Sequence, residues 1–244
     1  MAKIIVITGA GVGLGRALGR RFANDGDHVV LLGRTASKVE AAAKEIGERA
    51  MAVQCDVASP DSVKQAFATF AGRHPKIDVL INNAAVFEPF LIAEATDAQI
   101  VNTVNTNLVG AMLCARAAIP MMSRGSHIIN VTSESVAMTF PYLVAYQTSK
   151  GGLERFSEGL YHELDPQGIR VTNVRCGQMF EEGKTWDIPA EMRMRFGQAA
   201  MAAGINLRER PIAQFTSVTN VFRSLLDLPP DVHAVSVALH ARKA

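Results

Sequence analysis

The sequence predicts an α/β fold, a doubly wound parallel sheet in a three-layer αβα sandwich, and three observations carry that prediction. Short apolar, β-rich runs alternate with helical patterns from the start of the chain to about residue 175. The runs are apolar on both faces, as strands covered by helices on each side must be. A cluster of glycines, in VITGAGVGLG at residues 6–15, follows the first run, where a sharp strand-to-helix turn is needed.

Each element follows in order. Ile4–Thr8 is a β-rich run, and Leu14–Asn24 reads as a helix. His28–Leu32 is apolar again and ends at Gly33; Ala36–Arg49 carries alanines and charges at helical spacing. Met51–Cys55 reads as a strand and Pro60–Gly72 as a helix, with proline at its permitted place near the start. Ile77–Ile81 is a strand, and Asp97–Arg124 a long helical stretch that contains Pro120. Ser126–Thr132 is a strand, Ala145–Leu164 a helix and Arg170–Val174 a strand. The rhythm then breaks over Gly177–Arg210, with one helix expected at Pro189–Ala203. Its place after a strand's carboxyl end puts this segment over the sheet's binding crevice. A helix at Phe215–Leu226 and a strand at Val232–Leu239 complete one expected domain over residues 1–244, with a substrate-loop insertion at about 177–210.

Bulk properties narrow the function. With 244 residues and 48% apolar composition the chain can bury a sizeable core. A formal net charge of +2, with scattered Lys and Arg, argues against a nucleic-acid partner. Cys55, Cys114 and Cys176 form neither metal spacing nor a disulfide framework, so no metal is expected and a reducing compartment fits. No signal core or run of transmembrane length is present, which excludes a membrane partner and gives a cytoplasmic expectation.

The glycines do not match G-x-G-x-x-G; they read T-G-x-x-x-G-x-G from Thr8 to Gly15. Gly9 makes the turn, Gly13 admits a pyrophosphate to the following helix's amino end, and Gly15 lets that helix pack on the strand. Gly11, Val12 and Leu14 complete the expected phosphate-binding turn. The second strand ends in VVLLGRT. An NAD-binding site would place an acid near Gly33 to hold the ribose 2′-hydroxyl; Arg34 follows instead, and a guanidinium suits a 2′-phosphate. The cofactor expectation is therefore NADP(H).

In YQTSK, Tyr146 and Lys150 are four residues apart and share a helix face. An ammonium beside a phenol favours the phenolate and lowers its pKa, and a poised phenol exchanges a proton with a carbonyl or alcohol oxygen. Ser133, at a strand's carboxyl end, is placed to hydrogen-bond a substrate oxygen. Asn107 is polar in a helical stretch where Asn is unfavourable, and its amide is a candidate to hold a water near Lys150. Phe87, Phe90, Val136, Met138, Tyr142, Met179, Phe180 and Trp186 are candidates for an apolar pocket, or for ordinary core.

Taken together, these motifs resemble those of the classical short-chain dehydrogenase/reductases over roughly residues 4 to 177. Thr8-Gly9…Gly13-Leu14-Gly15 resembles the family's cofactor turn, and Asp56-Val57 its adenine-contacting pair. Asn82-Asn83-Ala84-Ala85 resembles its Asn-Asn-Ala-Gly stretch, and so assigns Asn83, Ala84 and Ala85 to the cofactor. The family's catalytic Asn, Ser, Tyr and Lys fall on Asn107, Ser133, Tyr146 and Lys150, with Tyr146 and Lys150 also meeting the nicotinamide ribose. Gly177 and Met179 fall at the nicotinamide end. The sequence departs from the pattern at Cys176-Gly177, where the family has Pro-Gly, at Glu181 for a Thr, and in its final VSVALHARKA. The resemblance implies a Rossmann-like fold and an NADP(H)-dependent carbonyl/alcohol oxidoreductase. Its helices Asp97–Arg124 and Ala145–Leu164 would pair in a homotetramer or homodimer. A non-catalytic NADP(H) sensor or scaffold on the same fold is the alternative. An epimerase or dehydratase of the family's extended branch is disfavoured by the glycine spacing and the short carboxyl region.

Overall fold

β-Branched runs bounded by turn-forming residues become strands, and the segments between them become helices. The computed structural model describes residues 2–180 and 188–243. The strands are β1 (Ile4–Thr8), β2 (His28–Gly33), β3 (Ala50–Gln54), β4 (Val79–Asn82), β5 (His127–Ser133), β6 (Arg170–Cys176), β7 (Met179–Phe180), β8 (Ala213–Gln214) and β9 (Ser236–Leu239). The helices are α1 (Gly13–Asn24), α2 (Ala36–Ile46), α3 (Pro60–Ala71), α4 (Asp97–Val104), α5 (Gly110–Ala118), α6 (Val144–Leu164), α7 (Ala190–Ala202) and α8 (Phe215–Leu226).

Seven strands form one parallel sheet in the order β3-β2-β1-β4-β5-β6-β9. The order reverses between β1 and β4, and this is where such a sheet opens a crevice at its carboxyl edge. Successive side chains alternate between the two helix layers. Ile5, Ile7, Val29 and Leu31 pack with Leu18 and Phe22 of α1 and with Val218 and Phe222 of α8. Val6, Val30 and Leu32 face the other way, toward Val63 and Phe67 of α3, Cys114 of α5 and Leu160 of α6. This is the Rossmann-like, single-domain sandwich that the strand rhythm predicts. No described helix is long and apolar enough to cross a membrane.

Local chemistry sets most helix ends. Ser59 caps α3 through Ser62 N–H at 3.3 Å, with Pro60 in the first turn. Thr96 and Gln99 form a reciprocal capping box on α4. α2 ends at Ile46, three residues before the expected end, with Gly47 as its cap. The expected single helix Asp97–Arg124 is in fact interrupted. Residues Asn105–Val109 form a π-helical turn in which Gly110 N–H reaches back to Asn105 C=O. Past Ala118 a 3₁₀ turn carries Pro120, which lacks the N–H an α-helix needs. β9 begins four residues later than expected, because Val232 N–H closes a turn onto Pro229 C=O.

Of the segment after β6, Gly177, Gln178, Met179, Ile188, Phe196, Leu207 and Arg210 line the cleft at the sheet's carboxyl edge. β7 and β8 pair with each other, so the segment leaves and rejoins the domain at one place. From it α7 buries Phe196 against Phe140 and Leu143.

Candidate active site

The glycine turn is fastened to the switch point by one hydroxyl. Thr8 Oγ1 donates to Ile81 C=O at 3.4 Å and accepts from the N–H groups of Asn83 and Ala84, each at 3.0 Å. The Asn83 amide donates back to the carbonyls of Thr8 and Gly9. Gly9 has φ 66°, and a Cβ there would lie 2.8 Å from Ala84 Cα, so only glycine fits. At Gly15 a Cβ would meet Gly9 O at 2.5 Å and the Asn83 amide nitrogen at 2.7 Å. The helix-on-strand contact expected of Gly15 belongs instead to Gly19, which faces the Leu31 side chain of β2.

The residues here fit a dinucleotide. Val12 begins α1 without a side-chain cap, so the first N–H groups of the helix stay open to an anion. A cleft of about 610 Å³ lies at this point. It is lined by Gly9, Val12, Gly13, Leu14, Asn83, Ala84, Ala85, Gly177 and Met179 from the predicted set, together with Ser133 and Tyr146. Gly11, Gly33, Arg34, Asp56 and Val57 do not line it. Gly33 and Arg34 close β2, and the Asp56–Val57 pair follows β3, one and two strands outward from β1. Arg34 is exposed, and among the described residues no carboxylate pairs with its guanidinium. A Cβ at Gly33 would sit 2.7 Å from Val39 Cγ1, so a side chain there requires Val39 to shift. Asp56 accepts Ala58 N–H in a tight turn, and Val57 is buried against Gly110.

β5 delivers Ser133 at its last residue, and α6 delivers Tyr146 in its first turn. Both side chains line the cleft. Burial pushes the Tyr146 phenol up to about 12, while the Ser133 hydroxyl pulls the other way and the nearby Cys176 and Glu134 add to the rise. Lys150, one helical turn on, is fully enclosed; its ammonium donates to Val131 C=O at 2.8 Å. Burial pulls Lys150 down to about 8. Its Nζ stands 6.0 Å from the Tyr146 ring centroid. The spacing of four does put both groups on one face, but desolvation, rather than the ammonium, dominates the phenol.

Asn107 lies outside the cleft lining, 1% exposed, in the π-helical turn. Its amide accepts Val86 N–H at 2.8 Å and donates to Val86 C=O at 3.0 Å and to Ser149 Oγ at 3.1 Å. Ser149 in turn donates to the Tyr146 carbonyl. Both amide hydrogens thus serve protein groups, and the side chain stitches the β4 loop to the Tyr146 turn. Gln147, which the sequence reading passed over, donates to the carbonyls of Ser135 and Met138 and ties the loop after Ser133 to α6.

Of the apolar candidates, Phe87 and Met179 line the cleft. Phe87 meets the Tyr146 ring edge-on at 5.1 Å between centroids. Met138 and Tyr142 pack behind it, Phe90 is buried, and Phe180 is exposed. Glu181 and Trp186 lie outside the described residues. The wall is otherwise made by Phe140, Leu143, Ile188, Phe196, Leu207 and Phe215, none of them singled out beforehand. Glu134 and Arg210, also unforeseen, form an ion pair there. The acid directly behind Ser133, at the end of an apolar run, was the one local hint.

Residues 3–184 match the family model described as short chain dehydrogenase. The chain belongs to this family, whose members are oxidoreductases using a nicotinamide cofactor. It is 36% identical over 190 residues to a chlorophyll(ide) b reductase of Arabidopsis thaliana, covering 72% of this chain and 54% of that one. It thus spans about half the length of that relative. It is 29% identical to carbonyl reductase family member 4 of Danio rerio over 93% of this chain and 91% of the other. A serine 3-dehydrogenase of Agrobacterium fabrum is 33% identical, covering 72% of each chain. Among solved structures, an alcohol dehydrogenase from Thermococcus sibiricus, complexed with 5-hydroxy-NADP, shares the fold with TM-score 0.82 at 23% identity. That alignment covers 99% of this chain and 97% of the other.

The clamp on the glycine turn is testable. Gly15→Ala forces a methyl against a backbone oxygen, and overpacking of this kind costs about 1–3 kcal/mol. Urea unfolding should show that loss, and dinucleotide affinity should fall with it; a variant as stable as wild type contradicts the close approach.

Proposed function

We propose that the chain is an NADP(H)-dependent oxidoreductase that interconverts a carbonyl and an alcohol by hydride transfer. The observation that carries this reading is that Ser133 and Tyr146 line one cleft together with the glycine turn, with Lys150 enclosed one helical turn behind Tyr146. Bound nicotinamide supplies or accepts the hydride. In reduction Tyr146 Oη gives its proton to the carbonyl oxygen, and in oxidation it takes the proton of the alcohol. A phenol held high by burial keeps that proton at neutral pH, as an acid for reduction needs. Ser133 Oγ hydrogen-bonds the same substrate oxygen and fixes it against Tyr146. Lys150 presents a cation beneath the reacting oxygen and binds the nicotinamide ribose. Asn107 acts as a positioning residue, through Ser149, on the Tyr146 turn.

Gly9, Gly11, Val12, Gly13 and Leu14 hold the pyrophosphate at the amino end of α1. Asp56 and Val57 flank the adenine, while Asn83, Ala84, Ala85, Gly177 and Met179 line the path to the nicotinamide. The exposed Arg34 guanidinium supports NADP(H) over NAD(H). Val101, Met112 and Val144 are exposed apolar residues on α4, α5 and α6, which supports assembly of a homodimer or homotetramer through these helices. The three cysteines are free thiols, in keeping with a cytoplasmic protein. Ser133 and Tyr146 at the cleft, with Lys150 close behind, support the enzyme over a silent sensor.

Tyr146→Phe removes the transferable proton and little volume. Turnover of a ketone with NADPH should fall by about 10²-fold or more, the usual scale of acid–base catalysis, with NADPH affinity nearly unchanged. Activity within a few-fold of wild type would falsify the assignment.

Arg34→Ala should weaken NADPH by about ten- to a hundredfold and leave NADH little changed, since only NADPH carries the 2′-phosphate. The dissociation constants of both cofactors decide it. Equal weakening of the two, or wild type holding NADH as tightly as NADPH, removes the cofactor assignment.

A further inference from the structure

The apolar wall around Tyr146 is interrupted by one ion pair. Glu134, directly after Ser133, is buried, and its Oε2 lies 2.5 Å from Nη2 of Arg210. The Arg210 guanidinium also rests over the Phe140 ring, 5.5 Å from its centroid. On the other flank of Glu134, His240 Nδ1 stands 3.7 Å from the same oxygen, and a Cβ at Gly177 would approach it to 3.1 Å. Among the described lining residues of the cleft, Glu134 and Arg210 are the charged ones.

A guanidinium facing a substrate cleft is the usual receptor for a carboxylate or phosphate. Here the chain supplies its own carboxylate and places it at bonding distance. An anionic substrate must either displace Glu134, which leaves a buried acid without its partner, or lie beside it against its charge. Lys150, the cation beside the Tyr146 ring, is enclosed and does not line the cleft; among the described lining residues Phe87 and Phe196 stack edge-on in sequence, and Phe140, Leu143 and Leu207 complete the wall. Such a surface rewards ring systems and aliphatic bulk.

We propose that this cleft takes an uncharged, bulky, apolar carbonyl compound or its alcohol, and that the Glu134–Arg210 pair excludes carboxylate-bearing analogues. The proposal rests on the carbonyl/alcohol reading above and names its substrate class.

The test compares methyl 4-acetylbenzoate with 4-acetylbenzoate, the same aryl ketone with and without one negative charge. Each is titrated calorimetrically into the protein loaded with NADP⁺, where no reduction occurs. The ester should bind at least about tenfold more tightly than the acid. Glu134→Gln leaves the Arg210 guanidinium unpaired, so the acid should gain about tenfold or more while the ester changes little. The wild-type comparison stands even if the variant fails to fold. The proposal is overturned if wild type binds the acid as tightly as the ester, if it binds neither, or if folded Glu134→Gln leaves the preference unaltered. Turnover with NADPH is then read separately. Tight ester binding without reduction keeps the substrate class and removes the redox reading; reduction of both compounds with no preference does the reverse.

Discussion

The Lys150 ammonium lies 2% exposed between helix and sheet, with Val131 C=O as its hydrogen-bond partner. An ammonium out of water is costly unless it is hydrogen-bonded, and the whole of α6 is arranged around meeting that demand. The face α6 turns to the sheet is a polar stripe at helical spacing. Lys150 reaches β5 at Val131. One turn on, Glu154 accepts Thr132 Oγ1 at 2.9 Å and takes a two-pronged bond from Arg175 of β6. Further down, Ser157 accepts from the Asn130 amide, which in turn accepts from Asn82 of β4. Three strands and one helix are thereby locked in register beneath the site.

That lock determines what reaches the crevice. With α6 fixed at Lys150, Tyr146 one turn earlier must emerge at the carboxyl edge of the sheet, beside the residue that ends β5. The Asn107 and Ser149 bonds hold the backbone of the same turn, and Gln147 holds the loop it faces. A separate clamp, the Thr8 hydroxyl, joins β1 to the chain leaving β4 and sets the glycine turn on the other side of the crevice. The proposed reaction needs these two clamps together, since the glycine turn on one and Tyr146 on the other line the same cleft.

Much of this could be read in the sequence because its causes are local. Apolar runs such as Ile4–Thr8 and His28–Leu32 have no plausible fate other than covered strands, and Ser59-Pro60 announces a helix start. The motifs carrying Thr8, Ser133, Tyr146 and Lys150 fall on strand ends and the first turns of a helix. What escaped depends on residues distant in the chain. The π-helical turn holds Asn107, whose amide pairs with the backbone of Val86, a partner 21 residues away. The Glu134–Arg210 pair joins positions that only the folded loop brings together. The Tyr146 phenol was expected to be lowered by its neighbour. A spacing of four gives a shared face, but it gives neither the 6.0 Å separation nor the burial that outweighs the charge.

The enclosed ammonium is the claim on which the account turns, and its titration tests it most directly. The protein is labelled with ¹³C at lysine Cε, and the resonances are followed against pH in wild type and Lys150→Met. One resonance, missing from the variant, should titrate near 8, while solvated lysines titrate at about 10.4. If the missing resonance titrates with the solvated lysines, Lys150 is open to water and the lock beneath the site does not exist in solution.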